Sequence, residues 1–379
     1  MGMMISRYLE NQMMEALRSD LYPAVMLYGA RQVGKTTLIK RLADTIGVSS
    51  NFFACDDPMV GDLFENISIE RLKRIAGDYP LLIFDEAQKI NQIGLILKLI
   101  IDYLPGVKLL VSGSSSFELA NRLNEPLTGR KKSFLMHPLA IKELYKPHQL
   151  LEIKSNLSHY LRFGLYPKTH HISNETELQN YLIELSGDYL YKDILEFTQI
   201  RNNEQIRRLL TALALQVGQE VSFTELANLS GIDQKTVIRY IDLLEKSYIV
   251  FRLPAFSRNQ RNEIMKSRKI YFYDLGIRNA LVRNFNEMKY RDDRGRLWEN
   301  FGIMERIKRD QSLQIYKNYY FWRTYEQQEI DLIEEHGGSL KGFEFKVKSG
   351  KAKANQFLNT YPQSTVEVVS QENFEHFIF

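Results

Sequence analysis

Residues 29–36 read Gly-Ala-Arg-Gln-Val-Gly-Lys-Thr, the pattern GxxxxGK[ST]. Few eight-residue stretches restrict a fold so tightly. The pattern works at the turn between a buried strand and a helix, where glycines let backbone N–H groups close around phosphates and the helix N-terminus adds positive potential. The flanks comply, with a short apolar strand run at residues 24–28 and a helical stretch at 37–46. The expected cradle is Gly29, Ala30, Arg31, Gln32, Val33 and Gly34, with Thr37 opening the helix. Lys35 would reach the β and γ phosphates, and the Thr36 hydroxyl would ligate Mg²⁺. The implied cofactors are ATP and Mg²⁺, although the loop alone does not separate adenine from guanine.

A second segment carries the complementary chemistry. Residues 81–86, Leu-Leu-Ile-Phe-Asp-Glu, form an apolar strand ending in two carboxylates. Ligands of a parallel sheet bind at the C-terminal ends of its strands. Asp85 would hold the Mg²⁺ shell, and Glu86 would orient and deprotonate an attacking water. A third strand, 108–111, ends in Ser112-Gly113-Ser114, where Ser112 or Ser114 would sense the γ-phosphate or simply make a turn. Arg130, after Leu127-Thr128-Gly129, is a candidate finger on transition-state charge, in cis or across an oligomer interface, or else part of the solvated run Arg130-Lys131-Lys132.

Composition sets the outer limits. A chain of 379 residues, 44% hydrophobic and 25% charged, makes two or three domains with their own cores and excludes wholesale disorder. Its single cysteine, Cys55, excludes an internal disulfide or a cysteine metal cluster, so a reducing cytoplasm is expected. The apolar run 93–101 is broken by Lys98 and falls short of the ~20 residues a membrane span needs, so no membrane association is expected.

The net charge of +4 is small but unevenly placed. Residues 201–290 hold 15 Lys/Arg against 9 Asp/Glu, whereas 291–379 hold 13 against 14. The basic segment reads as helix-turn-helix with a wing. Its parts are a helix from Glu204 to near Gly218, a short helix at 224–229 capped by Thr224, a turn at Gly231, and a longer helix at 233–244 capped by Asp233. Strands at 248–253 and 269–273 flank basic Arg258, Arg261, Lys266 and Arg268. Such a fold reads double-stranded DNA, here through Lys235 and Arg239, or serves as a protein-docking module.

In the tail, Gly337-Gly338 joins two strands as a two-residue hairpin. That register sets Asp331 opposite Glu344 and Glu329 opposite Lys346, with the acids on one face. Asp331 and Glu344, with Lys346 and a helical Glu299, would form a second metal site. The alternative is a solvated hairpin with weak cross-strand ion pairs.

Several segments together carry a family resemblance. GARQVGKTT, LLIFDEAQ, LLVSGSSS, LTGR, Pro138-Leu139 with Glu143, YLYKDI at 189–194, YFYDLG at 271–276 and GRLWENF at 295–301 resemble the AAA-type P-loop ATPases. More narrowly, they resemble a prokaryotic group that joins this ATPase to a C-terminal domain of unknown function. The resemblance implies ATP binding and hydrolysis. The chain departs from the group at Gly164-Leu165-Tyr166-Pro167, where two adjacent glycines are usual. The spacing Asp331…Glu344-Phe345-Lys346 resembles the PD-(D/E)xK nucleases.

The fold expected is therefore α/β: a P-loop NTPase parallel sheet, then a helical and winged-helix domain, then a restriction-endonuclease-like α/β domain. Boundaries are expected at 1–148, 149–203, 204–290 and 291–379. The expected function is a Mg-dependent ATPase that couples hydrolysis to DNA binding or processing, with a homo-oligomer or a protein partner as further candidates. The alternative is a nucleotide-dependent binding switch with a catalytically inactive tail.

Overall fold

The computed structural model describes residues 5–113, 127–189, 203–256, 268–324 and 328–379. Ser114, Arg258, Arg261, Lys266 and most of the 189–194 motif lie outside the described residues. The chain divides into two compact units, one made of Met1–His137 with Lys246–Tyr248, the other of Pro138–Glu245 with Ile249–Phe379.

The first unit is a parallel α/β sheet. Helix α1 (Leu9–Arg18) leads into β1 (Ala24–Gly29), α2 (Lys35–Ile46), β2 (Ser50–Ala54), α3 (Pro58–Leu63), α4 (Ile69–Ala76), β3 (Leu81–Asp85), α5 (Ile93–Tyr103), β4 (Lys108–Gly113) and β5 (Lys131–Met136). The strand order is β2-β3-β4-β1-β5 and every pair is parallel. Strands β1 and β3 are buried throughout, which explains their continuous apolar runs. Helix α1 buries Leu9, Met13, Ala16 and Leu17.

The second unit opens with α6 (Leu150–Phe163) and α7 (Glu175–Glu184). Helices α8 (Asn203–Leu215), α9 (Phe223–Ser230) and α10 (Gln234–Lys246) follow, with an antiparallel sheet β6-β8-β7 made of Glu220–Val221, Arg268–Phe272 and Val250–Pro254. The cap of α9 is Ser222, which accepts from the Glu225 N–H, rather than Thr224, because the helix begins one residue earlier than its apolar spacing suggests. Asp233 does cap α10, accepting from the Thr236 N–H at 3.0 Å.

After α11 (Leu275–Leu281), the 19-residue α12 (Arg294–Ser312) precedes a second sheet, β12-β11-β10-β9, made of Thr365–Ser370, Ser339–Lys346, Glu329–His336 and Asn318–Arg323. Gly337 and Gly338 both have positive φ, and the hairpin pairs His336 with Ser339 and Leu332 with Phe343, the expected register.

Apart from Lys246–Tyr248, the described residues after His137 fall in one compact unit. Helix α12 is buried on nearly every side. Asn300 exchanges hydrogen bonds with the Phe272 N–H (2.8 Å) and carbonyl (2.9 Å) on β8, and the Trp298 Nε1 donates to the Val369 carbonyl on β12 at 3.1 Å. Among the described residues no helix is long and apolar enough to cross a membrane.

Candidate nucleotide site and the tail carboxylates

The loop between β1 and α2 is shaped by its two glycines. Gly34 caps α2 in the left-handed conformation at φ 98°, which L side chains adopt only with strain. Gly29 lies so close to β5 that a Cβ would meet the Met136 carbonyl oxygen at 2.2 Å. Within this frame Ala30, Val33 and Lys35 are buried, Arg31 and Thr36 are partly buried, and Gln32 (φ 56°) and Thr37 face solvent. The buried Lys35 ammonium donates to the Gly29 and Ala30 carbonyls at 3.0 Å each and stands 3.7 Å from Glu86.

Strand order explains how the distant carboxylates arrive. Because β4 lies between β1 and β3, its last residues bridge the phosphate loop and the acidic strand end. Thr36 Oγ1 donates to Asp85 Oδ2 at 2.7 Å. Ser112 Oγ donates to Asp85 Oδ1 and accepts the Glu86 N–H at 3.1 Å. Ser112 is fully buried, and its hydroxyl bridges the Asp85 carboxylate and the Glu86 N–H. Glu86 takes a left-handed φ of 53°, a costly conformation for a non-glycine residue, and Gln88 steadies its carboxylate.

The donor set suits a hard cation: a buried carboxylate with two hydroxyls, and no ammonium or guanidinium paired to Asp85 among the described residues. The field agrees. Burial, and then the negative charge of Asp85, Asp56 and Glu86, push the Cys55 thiol far above its usual range.

Arg130 stands elsewhere. Its carbonyl accepts from Ala24, the first residue of β1, while the phosphate loop follows the last. Five residues of strand, roughly 16 Å, separate them. Arg130 pairs with Asp102 at the end of α5. The expected finger in cis is therefore corrected, because the strand direction points the site away from it.

The tail carboxylates also assemble differently from expectation. Lys269, on β8 and only 3% exposed, lies 3.1 Å from Glu299 and 3.8 Å from Asp331, and it pairs with Glu329. Tyr271 donates to the same Glu299 oxygen at 2.6 Å, and Asp331 accepts the Phe345 N–H at 2.8 Å. Burial works against the Lys269 charge, but Glu299, Asp331 and Glu329 outweigh it and raise the ammonium pKa. Burial and the Glu299 charge push Asp331 well above the usual carboxylate range.

Glu344 and Lys346 pair with each other at 3.0 Å, and Lys346 donates to the Lys351 carbonyl, so this lysine does not complete the acidic cluster. Among the described residues no group of three or more metal-type side chains is arranged to hold an ion. The second metal site expected of Asp331, Glu344, Lys346 and Glu299 is thus replaced by an internal ammonium from a strand that the sequence pattern assigns to the wing.

Comparisons with known proteins match three separate segments of the chain. Residues 21–145 match the family model described as AAA domain, 154–288 match Domain of unknown function (DUF8612), and 294–373 match Domain of unknown function (DUF4143). An uncharacterized protein of Mycobacterium tuberculosis, Rv2008c, is 28% identical over 334 residues, covering 86% of this chain and 71% of its own length. An uncharacterized protein of Methanocaldococcus jannaschii, MJ1637, is 25% identical over 317 residues, covering 73% of this chain and 64% of its own length. Among solved structures, the Walker-type ATPase PABY2304 of Pyrococcus abyssi is 14% identical with a TM-score of 0.49, covering 73% of this chain and 96% of that one. With its parallel sheet and phosphate loop, the matched segment 21–145 is similar to an AAA domain and has the fold of a P-loop NTPase core.

Proposed function

We propose that the chain binds Mg-ATP at residues 29–36 and hydrolyses it. The observation that carries this reading is the Thr36–Asp85–Ser112 chain of hydroxyls and carboxylate, set beside Lys35 and the constrained Glu86. Lys35 and the loop amides bind and orient the phosphates, and Thr36 with Asp85 would hold the Mg²⁺, which supplies charge neutralisation on the phosphoryl oxygens. Glu86 takes the proton of the attacking water as its oxygen bonds to the γ-phosphorus and the bond to the ADP oxygen breaks. A finger from Arg130 would have to act in trans, on a second copy.

The test is steady-state phosphate release beside Mg-ATP binding, with Glu86→Gln as control. Binding retained and turnover lowered about 10²–10⁴-fold would support it. An unbound wild-type chain, or full turnover in the variant, would overturn it.

The Lys269 network favours a particular use of that hydrolysis. In this reading α9, α10 and the sheet β6-β8-β7 form a winged helix, and α12 with the second sheet forms a nuclease-like body whose acids are neutralised from within. The chain is then a nucleotide-dependent switch that binds without cutting. Lys235 and Arg239, exposed one turn apart on α10 and opposite buried Val237, Tyr240, Ile241 and Leu244, support duplex DNA as what it binds. Mg²⁺-dependent DNA cleavage abolished in Asp331→Ala would refute the non-cutting reading.

A further inference from the structure

Arg7 precedes α1 and is 8% exposed, with its guanidinium turned into the fold. Its Nη1 donates to the Val33 carbonyl at 2.9 Å and its Nη2 to the His137 carbonyl at 2.6 Å. Val33 belongs to the phosphate loop, and His137 directly follows β5. One side chain therefore ties the loop backbone to the end of the neighbouring strand. The segment carrying it is anchored by the buried face of α1, Leu9, Met13, Ala16 and Leu17, so little ordering entropy remains to oppose the contact.

The peptide joining Val33 to Gly34 is trans, as all described peptides are. In a trans peptide the carbonyl and the next N–H point in opposite directions. Holding the Val33 oxygen therefore fixes the Gly34 N–H to point away from Arg7. Gly34 is also the place where such a peptide turns over most readily, because glycine occupies both signs of φ at similar cost. A turned-over peptide would present an oxygen where a phosphate needs a donor. A cation on the carbonyl opposes that turnover and polarises the N–H, since hydrogen bonds to charged groups are the stronger ones.

We propose that Arg7 is a positioning residue of the nucleotide site, setting the direction of the Gly34 N–H toward the phosphates. The proposal rests on the reading that residues 29–36 hold nucleotide phosphate.

The experiment is calorimetric titration of the full chain with Mg-ADP, comparing wild type, Arg7→Lys and Arg7→Met, with KM and kcat for Mg-ATP alongside. Arg7→Met is expected to weaken Mg-ADP binding about tenfold at unchanged stoichiometry, with KM rising more than kcat falls, and Arg7→Lys to recover part of the loss. A merely structural role would lower the stoichiometry and leave the dissociation constant alone, which overturns the proposal, as does wild-type affinity in Arg7→Met. If Arg7→Met does not fold, Arg7→Gln, which keeps a single amide donor, must show the same direction. A wild-type chain that fails to bind Mg-ADP would instead bring down the phosphate-loop reading itself.

Discussion

Lys269 of β8 and Glu299 of α12 lie 3.1 Å apart with the lysine side chain almost wholly buried, so the sheet β6-β8-β7 supplies the cation for an acidic cluster in the tail. Glu329 and Asp331 share that ammonium. Removing one partner of a buried ion pair leaves uncompensated charge, at a cost of about 3–5 kcal/mol. Lys269→Met is accordingly expected to lower stability by that order in urea unfolding. Lys269→Arg, which keeps the charge but not the shape, should lose less. A stable Lys269→Met chain would mean that the carboxylates are already neutral.

Ser112 should matter to turnover more than to nucleotide affinity. Its hydroxyl serves Asp85 and the Glu86 N–H together, so Ser112→Ala frees the acid that positions water and leaves a buried donor unpaired. The expected loss is about 1–3 kcal/mol of stability. A kcat reduced at least tenfold, with the Mg-ADP dissociation constant changed much less, is the outcome to look for in parallel kinetics and titration. Equal loss in both would assign Ser112 to phosphate contact after all.

His170 supplies a pH dependence. Burial, and then the neighbouring charges of His159 and His171, push its imidazole from 6.5 down to about 4. Between those values the unfolded chain binds a proton that the folded chain refuses. The resulting stability is fully present above pH 6.5 and is lost as pH falls toward 4. Replacing it by phenylalanine, which keeps the ring packed against Tyr160, should flatten this part of the stability curve. Parallel curves for the two proteins across that same pH range would rule out His170 as the source.

The exposed pair on α10 is open to a clean test, since neither Lys235 nor Arg239 is buried. Lys235→Glu with Arg239→Glu should leave the melting temperature within a few degrees and weaken duplex DNA binding at low salt by tenfold or more. The slope of affinity against salt should flatten by about one for each phosphate that is no longer neutralised. Duplex binding unchanged in the double variant would remove this face from consideration.

The candidate nucleotide site was largely legible in the chain because its geometry is local. The glycines, Lys35 and Thr36 sit within one turn, and Asp85 and Glu86 close one strand, so spacing alone assigns them. The Gly337-Gly338 hairpin was legible for the same reason, since a two-residue turn fixes its own register. What each polar group touches across the fold was not. Ser112 became a support for Asp85 because strand order sets β4 between β1 and β3. Arg130 fell at the wrong end of its sheet because parallel strands carry direction as well as adjacency.

Arg7 reaches a carbonyl 130 positions away, and Lys269 an acid 30 positions away. No period or motif encodes such pairings, which arise when a low-dielectric interior obliges every buried charge to find a partner. By itself the sequence determined the phosphate loop, the acidic strand end and the hairpin, since each is a property of neighbouring residues. Only the tertiary structure decided which lysine neutralises the tail's acids and which arginine holds the loop, because compensation of buried charge is settled in space.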